Sequence, residues 1–276
     1  MKRKSGIMLI AALLTALLSV CVWAEEAADP KIVTQPDFQV EVIHVNPEYE
    51  ALGVKFTKPD ADCMTTAETT VNNLADAAVY LREQMENRVT EVVIKVRNYP
   101  VYGSEDEYES WAAGLSSNWR AILYDAFGHT GVPTQGDYIM RHYGRSEGTI
   151  GHDGISTATF KYSIIYDTTL EQENEVGDKI DELFAAWDSE HGFYDLTDYK
   201  RVKLIYDYIC ENVTYDYDTL YDDEYTLKYT AYAALINGTA VCQGYANLFY
   251  RLALELDVDA RIISGDGGGP HAWNIT

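Results

Sequence analysis

The chain has 276 residues, of which 47% are apolar and 24% are charged, a composition typical of a globular protein with a buried core. This composition excludes a wholly disordered chain and a fibrous repeat protein. Lys and Arg together number 21 and Asp and Glu 44, so the formal net charge of −23 would repel a phosphate backbone. We therefore expect no nucleic acid among the partners of this protein.

The first 24 residues have the pattern of a secretory signal peptide. Basic residues at positions 2–4 precede an apolar run from Ile7 to Val22, and Val22-Trp23-Ala24 is a suitable cleavage site. The run is short for a membrane anchor, and two glutamates follow it directly. A lipoprotein anchored through Cys21 is the other alternative, but Val20 is bulkier than the residue that usually precedes such a cysteine. We predict a secreted or cell-surface protein with no stable membrane span after cleavage.

The segment that follows is predicted to contain a linker at 25–37 and an N-terminal α+β domain at 38–167. Alternating side chains from Phe38 to Val42 predict a strand. Thr65–Glu68 has the sequence of a capping box, which predicts an amphipathic helix that reaches Met85. The further predicted elements are a strand at 91–96, a helix at 104–126, a strand at 136–140, a glycine-rich hairpin loop at 144–154 and a strand at 155–166. The predicted order of this domain is βαβαββ.

The second half of the chain is predicted to be mainly helical. Thr168–Glu171 is another capping box, and the helix that it starts would connect the two domains over 168–194. The domain at 195–276 begins where the composition changes near Leu196. Its predicted elements are helices at 198–212, at 227–236 and from Cys242 onward, and strands at 261–264 and 271–275.

Cys242 is the first candidate for chemistry. The apolar stripe formed by Tyr245, Phe249, Leu252 and Leu256 predicts a helix that begins at about Cys242. At a helix N-terminus the macrodipole and the free N–H groups favour a thiolate, and the same N–H groups can stabilise an oxyanion. A cysteine that is simply a small core residue remains the alternative at this position.

His271 is the second candidate, 29 residues after Cys242. It begins a predicted strand after the glycine-rich loop at 265–270, and a hairpin there would place the imidazole across the start of the cysteine helix. Because side chains alternate along a strand, Trp273 shares the face of His271 and Asn274 does not, so Asn274 is not expected to orient the imidazole. The other histidines are interpreted as ordinary surface or core residues and lie at positions 44, 129, 142, 152 and 191.

The remaining cysteines and the acidic segment carry no predicted chemistry. Cys63 lies among aspartates, which disfavour a thiolate, and Cys210 is predicted to be buried and inert inside a helix. Because export leaves three cysteines after Cys21 is removed, at least one thiol is predicted to be free or to pair between chains. The acidic residues at 216–224 lack EF-hand spacing and are interpreted as a solvated loop. We predict no metal site and no cofactor.

Three segments resemble the core of the bacterial transglutaminase-like superfamily. They are Gly238–Tyr245 (GTAVCQGY), His271-Ala272-Trp273-Asn274 and, ahead of both, Tyr206–Tyr215 (YDYICENVTY). The resemblance covers roughly Leu196 to Thr276 and implies a papain-like cysteine-protease fold with a Cys-His-Asp triad. It implies that Cys242 is the nucleophile and His271 the general base.

The resemblance also implies that one triad member is missing. The family's acidic residue lies on the strand after the His-Ala-Trp-Asn strand, whereas this sequence ends at Thr276. We therefore expect a domain that is incomplete at its C-terminus, and a fragment that is inactive because the acid is absent. Gln243, Trp273 and Tyr215 are further candidates for the oxyanion hole or the substrate groove.

Two functions remain open at this point. The first is an exported thiol acyltransferase that acts on peptide or glutamine amides, either as a cysteine protease or amidase or as a transglutaminase, with an extracellular protein or a cell-wall peptide as substrate. The second is a catalytically silent cell-surface module on the same fold that binds a peptide or a glycan. Ten of the 22 tyrosines lie between Tyr206 and Tyr250, and an aromatic-lined groove suits either ligand.

Overall fold

The computed structural model describes residues 38–56, 64–102, 104–192 and 195–276. The predicted signal peptide, the predicted linker, Cys21 and Cys63 lie outside the described residues. Within these ranges, no helix combines the length and the apolar character that crossing a bilayer requires.

A mixed five-stranded sheet dominates the first half of the chain, with the strand order β1-β4-β5-β3-β2. Its strands are β1 (Phe38–Val45), β2 (Thr66–Val71), β3 (Glu91–Val96), β4 (Tyr143–His152) and β5 (Ala158–Tyr166). The helices of this half are α1 (Pro47–Leu52), α2 (Leu74–Glu86), α3 (Tyr108–Ala126) and α4 (Asp137–His142). Strands β2 and β3 are parallel and are joined through α2, whereas the other neighbours are antiparallel.

The first core lies between this sheet and helices α2 and α3. Side chains alternate along β3, so that Val92 and Ile94 are fully buried while the residues between them are only partly covered. From α3, the fully buried Trp119 stacks on Tyr162 with ring centroids 4.8 Å apart, and its Nε1 donates to the Lys161 carbonyl at 2.9 Å. The predicted strand at 91–96 and the predicted helix through residue 126 are present.

The predicted capping box at Thr65–Glu68 is wrong, because residues 66–71 form strand β2. The segment is rich in threonine, whose branched Cβ suits a strand, and it pairs in parallel with β3. The helix begins later, where Asn73 Oδ1 accepts the main-chain N–H of Asp76 at 2.8 Å.

Two further segments differ from the predicted βαβαββ order. Residues 137–142 form helix α4 instead of a strand, since five residues are too few for periodicity to distinguish the two. The predicted glycine-rich loop is instead strand β4, which pairs with both β1 and β5. A Cβ on Gly148 would lie 1.9 Å from the Lys161 carbonyl oxygen, so this glycine permits close strand approach and does not mark a loop.

Helices and short strands form the second half. The helices are α5 (Leu170–His191), α6 (Asp198–Asn212), α7 (Ala231–Leu235) and α8 (Cys242–Glu255), and the strands are β6 (Thr214–Tyr215), β7 (Thr239–Ala240), β8 (Arg261–Asp266) and β9 (Pro270–Ile275). The predicted helix at 227–236 is divided into a 3-10 turn at Leu227–Tyr229 and α7. Helix α8 packs against α6, α7 and β9, and its Leu248 and Leu252 are fully buried in the second core.

Polar residues of α4 fix the β8–β9 hairpin to the sheet half of the chain. The buried Asp137 carboxylate accepts Arg261 Nε at 2.8 Å, Arg261 Nη2 at 2.9 Å and the main-chain N–H of Ile262 at 2.8 Å. The buried Arg141 forms an ion pair with Glu48 and donates to Ser264 Oγ at 2.6 Å. The position of the hairpin therefore depends on residues far away in the sequence. The domain boundaries predicted at 167 and 194 remain predictions.

Candidate active site

Cys242 is the first residue of helix α8, in agreement with the predicted helix start. The N-cap residue Val241 is extended, and its apolar side chain cannot accept a hydrogen bond from the main-chain N–H groups of the first helical turn. The thiol is free and half-buried. The arrangement places a free thiol beside main-chain N–H groups that a substrate oxygen could use.

The local sequence forces this geometry. Strands β6 and β7 pair in parallel immediately before the helix, and the Asp216 N–H donates to the Ala240 carbonyl at 3.0 Å. Two residues after Cys242, a Cβ on Gly244 would lie 2.6 Å from the Ala240 Cβ and 2.9 Å from the Lys228 carbonyl oxygen. Only glycine allows this approach, so Gly244 is a packing requirement of the first turn of α8.

Two tyrosines flank Cys242. Burial raises the pKa of Tyr215, and the charge of the neighbouring Cys242 raises it further. The hydrogen bond from the Cys242 main-chain N–H to the Tyr215 hydroxyl lowers this pKa. Burial and then the charge of Cys242 raise the pKa of Tyr229 to about 12. The Tyr215 ring also contacts Tyr217 and Tyr245, with centroids 4.9 and 6.2 Å away. The predicted groove residue Tyr215 therefore lies beside the candidate nucleophile.

Gln243 has a different environment from the one that an oxyanion hole would need. Its side chain is buried, and Nε2 donates to Tyr49 Oη at 3.0 Å and to the Arg141 carbonyl at 3.2 Å. Both bonds hold the amide inside the protein, away from a substrate. In this structure Gln243 anchors the start of α8 to α1 and α4. The candidate oxyanion donors are the main-chain N–H groups of the first turn of α8, of which that of Cys242 meets the Tyr215 hydroxyl in the absence of substrate.

The anchor of Gln243 continues to a buried carboxyl group. Tyr49 Oη lies 2.6 Å from Asp167 Oδ2 and 2.9 Å from the Arg141 carbonyl oxygen. Burial raises the pKa of Asp167 to about 7, although the Tyr49 hydrogen bond lowers it. Tyr49 and Asp167 were not predicted from the sequence, because Tyr49 lies 194 positions from Gln243 and no local pattern marks either residue.

Asp167 gives a testable dependence of stability on pH. Because its pKa rises from 3.8 to about 7 on folding, the folded protein holds a proton here that the unfolded chain has lost. This contribution is fully present below pH 3.8 and is lost as the pH rises through about 7. The Asp167→Asn variant has no proton to lose at this position. When the pH is raised from about 5 to about 8, we therefore expect the difference in the free energy of unfolding between this variant and the wild type to shift by about 3 kcal/mol in favour of the variant. Urea unfolding at both pH values measures this difference, and an equal difference at both would contradict the assignment.

The β8–β9 hairpin lies along α8. Asn274 Nδ2 donates to the Ala246 carbonyl at 3.0 Å, one helical turn after Cys242. Asn274 is thus bonded to the helix and not to the imidazole, as the alternation of the strand predicts. On the opposite face, the rings of His271 and Trp273 are in contact with centroids 4.7 Å apart. Trp273 is 39% exposed and His271 is half-buried.

The structure brings the candidate residues together in two pairs. Cys242 lies with Tyr215, and His271 lies with Trp273. Among the contacts of the described residues, no hydrogen bond joins Cys242 Sγ to the His271 imidazole. Catalytic hydrogen bonds are often long or poorly aligned without substrate and tighten when it binds. The roles of Cys242 as nucleophile and of His271 as general base are therefore proposals.

The other predicted candidates lie elsewhere. Cys210 is exposed on α6, one turn from the exposed Tyr206, so the prediction that it is buried is wrong. His142 is a core histidine: burial lowers its pKa to about 4, and its Nδ1 lies 2.7 Å from the Tyr138 carbonyl oxygen. No cluster of three or more His, Cys, Asp or Glu residues suited to a metal is present in the part of the chain that the structure describes.

Comparison with known proteins supports the superfamily-level part of the predicted resemblance. Residues 193–275 match a family model described as the transglutaminase-like superfamily, and the matched region contains both Cys242 and His271. A search of curated proteins found no match. One similar solved structure is described as "Crystal structure of a TGase"; it is 16% identical with a TM-score of 0.34, and the alignment covers 67% of this chain and 47% of that one. The chain thus spans about half the length of that structure.

Proposed function

We propose that residues 193–275 form a thiol acyl-transfer site in which Cys242 is the nucleophile. The observation that carries the proposal is the placement of a free, half-buried thiol at the first residue of α8, inside the region that matches the transglutaminase-like superfamily. Helix-start cysteines of this kind are suited to nucleophilic attack, because the adjacent N–H groups stabilise both a thiolate and an oxyanion.

The proposed reaction has two steps. Cys242 Sγ attacks an amide carbonyl, His271 accepts the thiol proton and then donates it to the leaving amine, and an S-acyl enzyme remains. Water or a second amine then attacks the thioester, which releases an acid or a new amide and returns the proton to the thiol. Attack by water describes a peptidase or amidase, and attack by an amine describes a transglutaminase. His271 rests on Trp273 in the free protein, so the proposal includes movement of the imidazole toward Cys242 when substrate binds.

The proposed substrates are peptide or glutamine amides of an extracellular protein or a cell-wall peptide. Support comes from the aromatic surface near Cys242, where Tyr215 is half-buried and Tyr217 is exposed. Trp273 adds a further partly exposed ring on β9. Aromatic rings of this kind bind extended peptide and sugar chains. Export through the predicted signal peptide is part of the same proposal.

Selective alkylation tests the nucleophile. Exposure alone favours Cys210, which is exposed, over Cys242, which is half-buried. We expect iodoacetamide at mildly acidic pH to modify Cys242 first, because the helix start favours the reactive thiolate. Peptide mapping of the modified protein identifies the site. Equal or preferential labelling of Cys210 in the folded protein would contradict the proposal, and Cys210→Ala serves as the matched control.

A second function is favoured by one observation. The His271 ring is in contact with Trp273, and Cys242 has tyrosines as its neighbours. A catalytically silent module that binds a peptide or a glycan on these aromatic residues needs no contact between thiol and imidazole. Such a module would bind its ligand equally well after Cys242→Ala and His271→Ala, and would not form a covalent adduct.

A further inference from the structure

Lys228 is a fully buried cation whose ammonium group lies against the acidic segment, which we define as residues 216–225. Its side chain is 0% exposed, and its Nζ donates to three main-chain carbonyl oxygens: that of Thr219 at 2.5 Å, that of Asp222 at 2.6 Å and that of Leu220 at 3.2 Å. An ammonium group has three N–H donors and no acceptor, so these three bonds use its full capacity. Clustered carbonyl oxygens are also the ligands that a hard metal cation prefers.

Two of the nearby carboxylates, those of Asp216 and Asp222, form hydrogen bonds within the acidic segment, and that of Asp223 pairs with Lys55 at 2.8 Å. Asp216 accepts the Thr219 N–H at 2.9 Å and the Thr219 hydroxyl at 2.6 Å. Asp222 Oδ1 accepts the Glu224 N–H at 3.0 Å. Burial lowers the pKa of Lys228, while the charges of Asp222, Asp216 and Asp223 raise it. The ammonium is therefore held by carbonyl oxygens inside a negatively charged loop.

The main chain of Lys228 contacts the start of the cysteine helix. Its carbonyl oxygen accepts the Val241 N–H at 3.1 Å, and Val241 is the N-cap of α8. The same oxygen lies against Gly244, where a Cβ would approach to 2.9 Å. The next residue, Tyr229, is a neighbour of Cys242. One residue thus joins the acidic segment to the helix that carries the proposed nucleophile.

We propose that Lys228 is a positioning residue whose ammonium group serves as a built-in cation for the acidic segment and so fixes the start of α8 without an external metal ion. The covalently attached ammonium occupies the carbonyl cluster at any salt or metal concentration. Opening the acidic segment would break all three charge-assisted hydrogen bonds to the ammonium group. Only the link to Cys242 reactivity rests on the proposed function.

The test removes the charge and then supplies it from solution. Lys228→Met keeps an unbranched apolar stem but leaves the three carbonyl oxygens without a donor, and Lys228→Ala leaves space for a small ammonium ion. Both variants lose the hydrogen bonds that the charged Lys228 ammonium donates to the acidic segment. We therefore expect limited proteolysis within 216–225 to be faster in both, on the order of tenfold or more. The rate at which iodoacetamide modifies Cys242 should fall in both variants. Ethylammonium chloride should restore both properties to Lys228→Ala, and the neutral analogue ethanol should not.

The controls separate this role from general stability. Lys179→Ala removes an exposed lysine of α5 that pairs with Glu182, and it should change neither readout. Calcium chloride, compared with sodium chloride of equal ionic strength, should not slow proteolysis within 216–225 of the wild type, and slower cleavage there would overturn the proposal because an external cation would then hold the segment. Wild-type behaviour of Lys228→Met in both assays would overturn it as well. If the variants unfold, ethylammonium must raise the folding midpoint of Lys228→Ala, and failure to do so also counts against the proposal.

The two proposals can fail separately. Proteolysis within 216–225 reports on Lys228 and needs no catalysis. If this segment opens in the variants while wild-type Cys242 reacts no faster than Cys210, the role of Lys228 in the segment stands and the proposed function is wrong. If the segment stays closed while Cys242 remains selectively reactive, the proposed function stands and the role of Lys228 is wrong.

Discussion

Replacing Cys242 with alanine is expected to abolish the burst of p-nitrophenolate that we predict for the wild-type protein with p-nitrophenyl acetate. An activated ester needs a thiolate nucleophile but little help for its leaving group, so it makes smaller demands on His271 than an amide does. We expect the single-turnover acylation rate to fall on the order of 10³-fold or more, as occurs when a hydrolase loses its nucleophile. Stopped-flow absorbance measures the burst and its stoichiometry.

The controls for this prediction use the other thiol and the proposed base. Cys210→Ala should keep the full burst, because Cys210 lies on the exposed face of α6. His271→Ala should keep the fold and lower the acylation rate by about 10²-fold, the usual effect of a lost general base. A burst of wild-type size in Cys242→Ala would mean that a different residue is acylated.

We expect Glu173→Ala to lower the free energy of unfolding more than any other substitution proposed for this protein. The Glu173 side chain is 9% exposed, and Oε1 lies 2.7 Å from Arg88 Nη2 and 2.6 Å from Thr168 Oγ1. Tyr138 Oη donates to Oε2 at 2.9 Å. Burial raises the pKa of Glu173, but the charge of Arg88 and these hydrogen bonds lower it to about 2. Without Glu173, the buried Arg88 guanidinium loses its counter-ion.

The free energy of unfolding should therefore fall by about 3–5 kcal/mol in Glu173→Ala. Chemical denaturation measures this loss. Glu182→Ala removes an exposed carboxylate of the same helix and should cost less than about 1 kcal/mol. The double variant Arg88→Met with Glu173→Leu should recover most of the stability, since both charges are then absent. A loss in Glu173→Ala as small as that in Glu182→Ala would contradict the buried ion pair.

The sequence allowed the start of α8 to be predicted because the apolar stripe after Cys242 spans nearly the whole helix. A pattern of that length distinguishes a helix from a strand. Shorter patterns were misleading: the threonines before α2 match a capping box yet form β2, and residues 136–140 were predicted to form a strand, whereas residues 137–142 form α4. Pairing with β3 makes the first segment a strand, and burial against the rest of the chain makes the second a helix. Neither interaction can be read from the local sequence.

The candidate site could be predicted only in part, for the same reason. Cys242 and His271 carry local signals, a helix start and a strand after glycines. The groups that hold Cys242 in place have none, because Tyr49 reaches Gln243 across 194 positions. Lys228 did carry a weak signal, since it is a charged residue in a segment that is otherwise apolar from Leu227 to Ile236 apart from tyrosine and threonine. Its three carbonyl partners become visible only in the folded acidic segment.

Intact-protein mass spectrometry after incubation with a glutamine peptide, offered as its amide and as an activated ester, decides whether Cys242 is acylated. We expect a covalent acyl adduct on the wild-type protein that maps to Cys242 after proteolysis, that is discharged by water or by an added primary amine, and that is absent from Cys242→Ala. His271→Ala should form less of the adduct, because the imidazole accepts the thiol proton and donates it to the leaving amine. A protein that binds the peptide, keeps its fold and forms no adduct at Cys242 over a broad panel of amides and activated esters would contradict the account and establish the binding module instead.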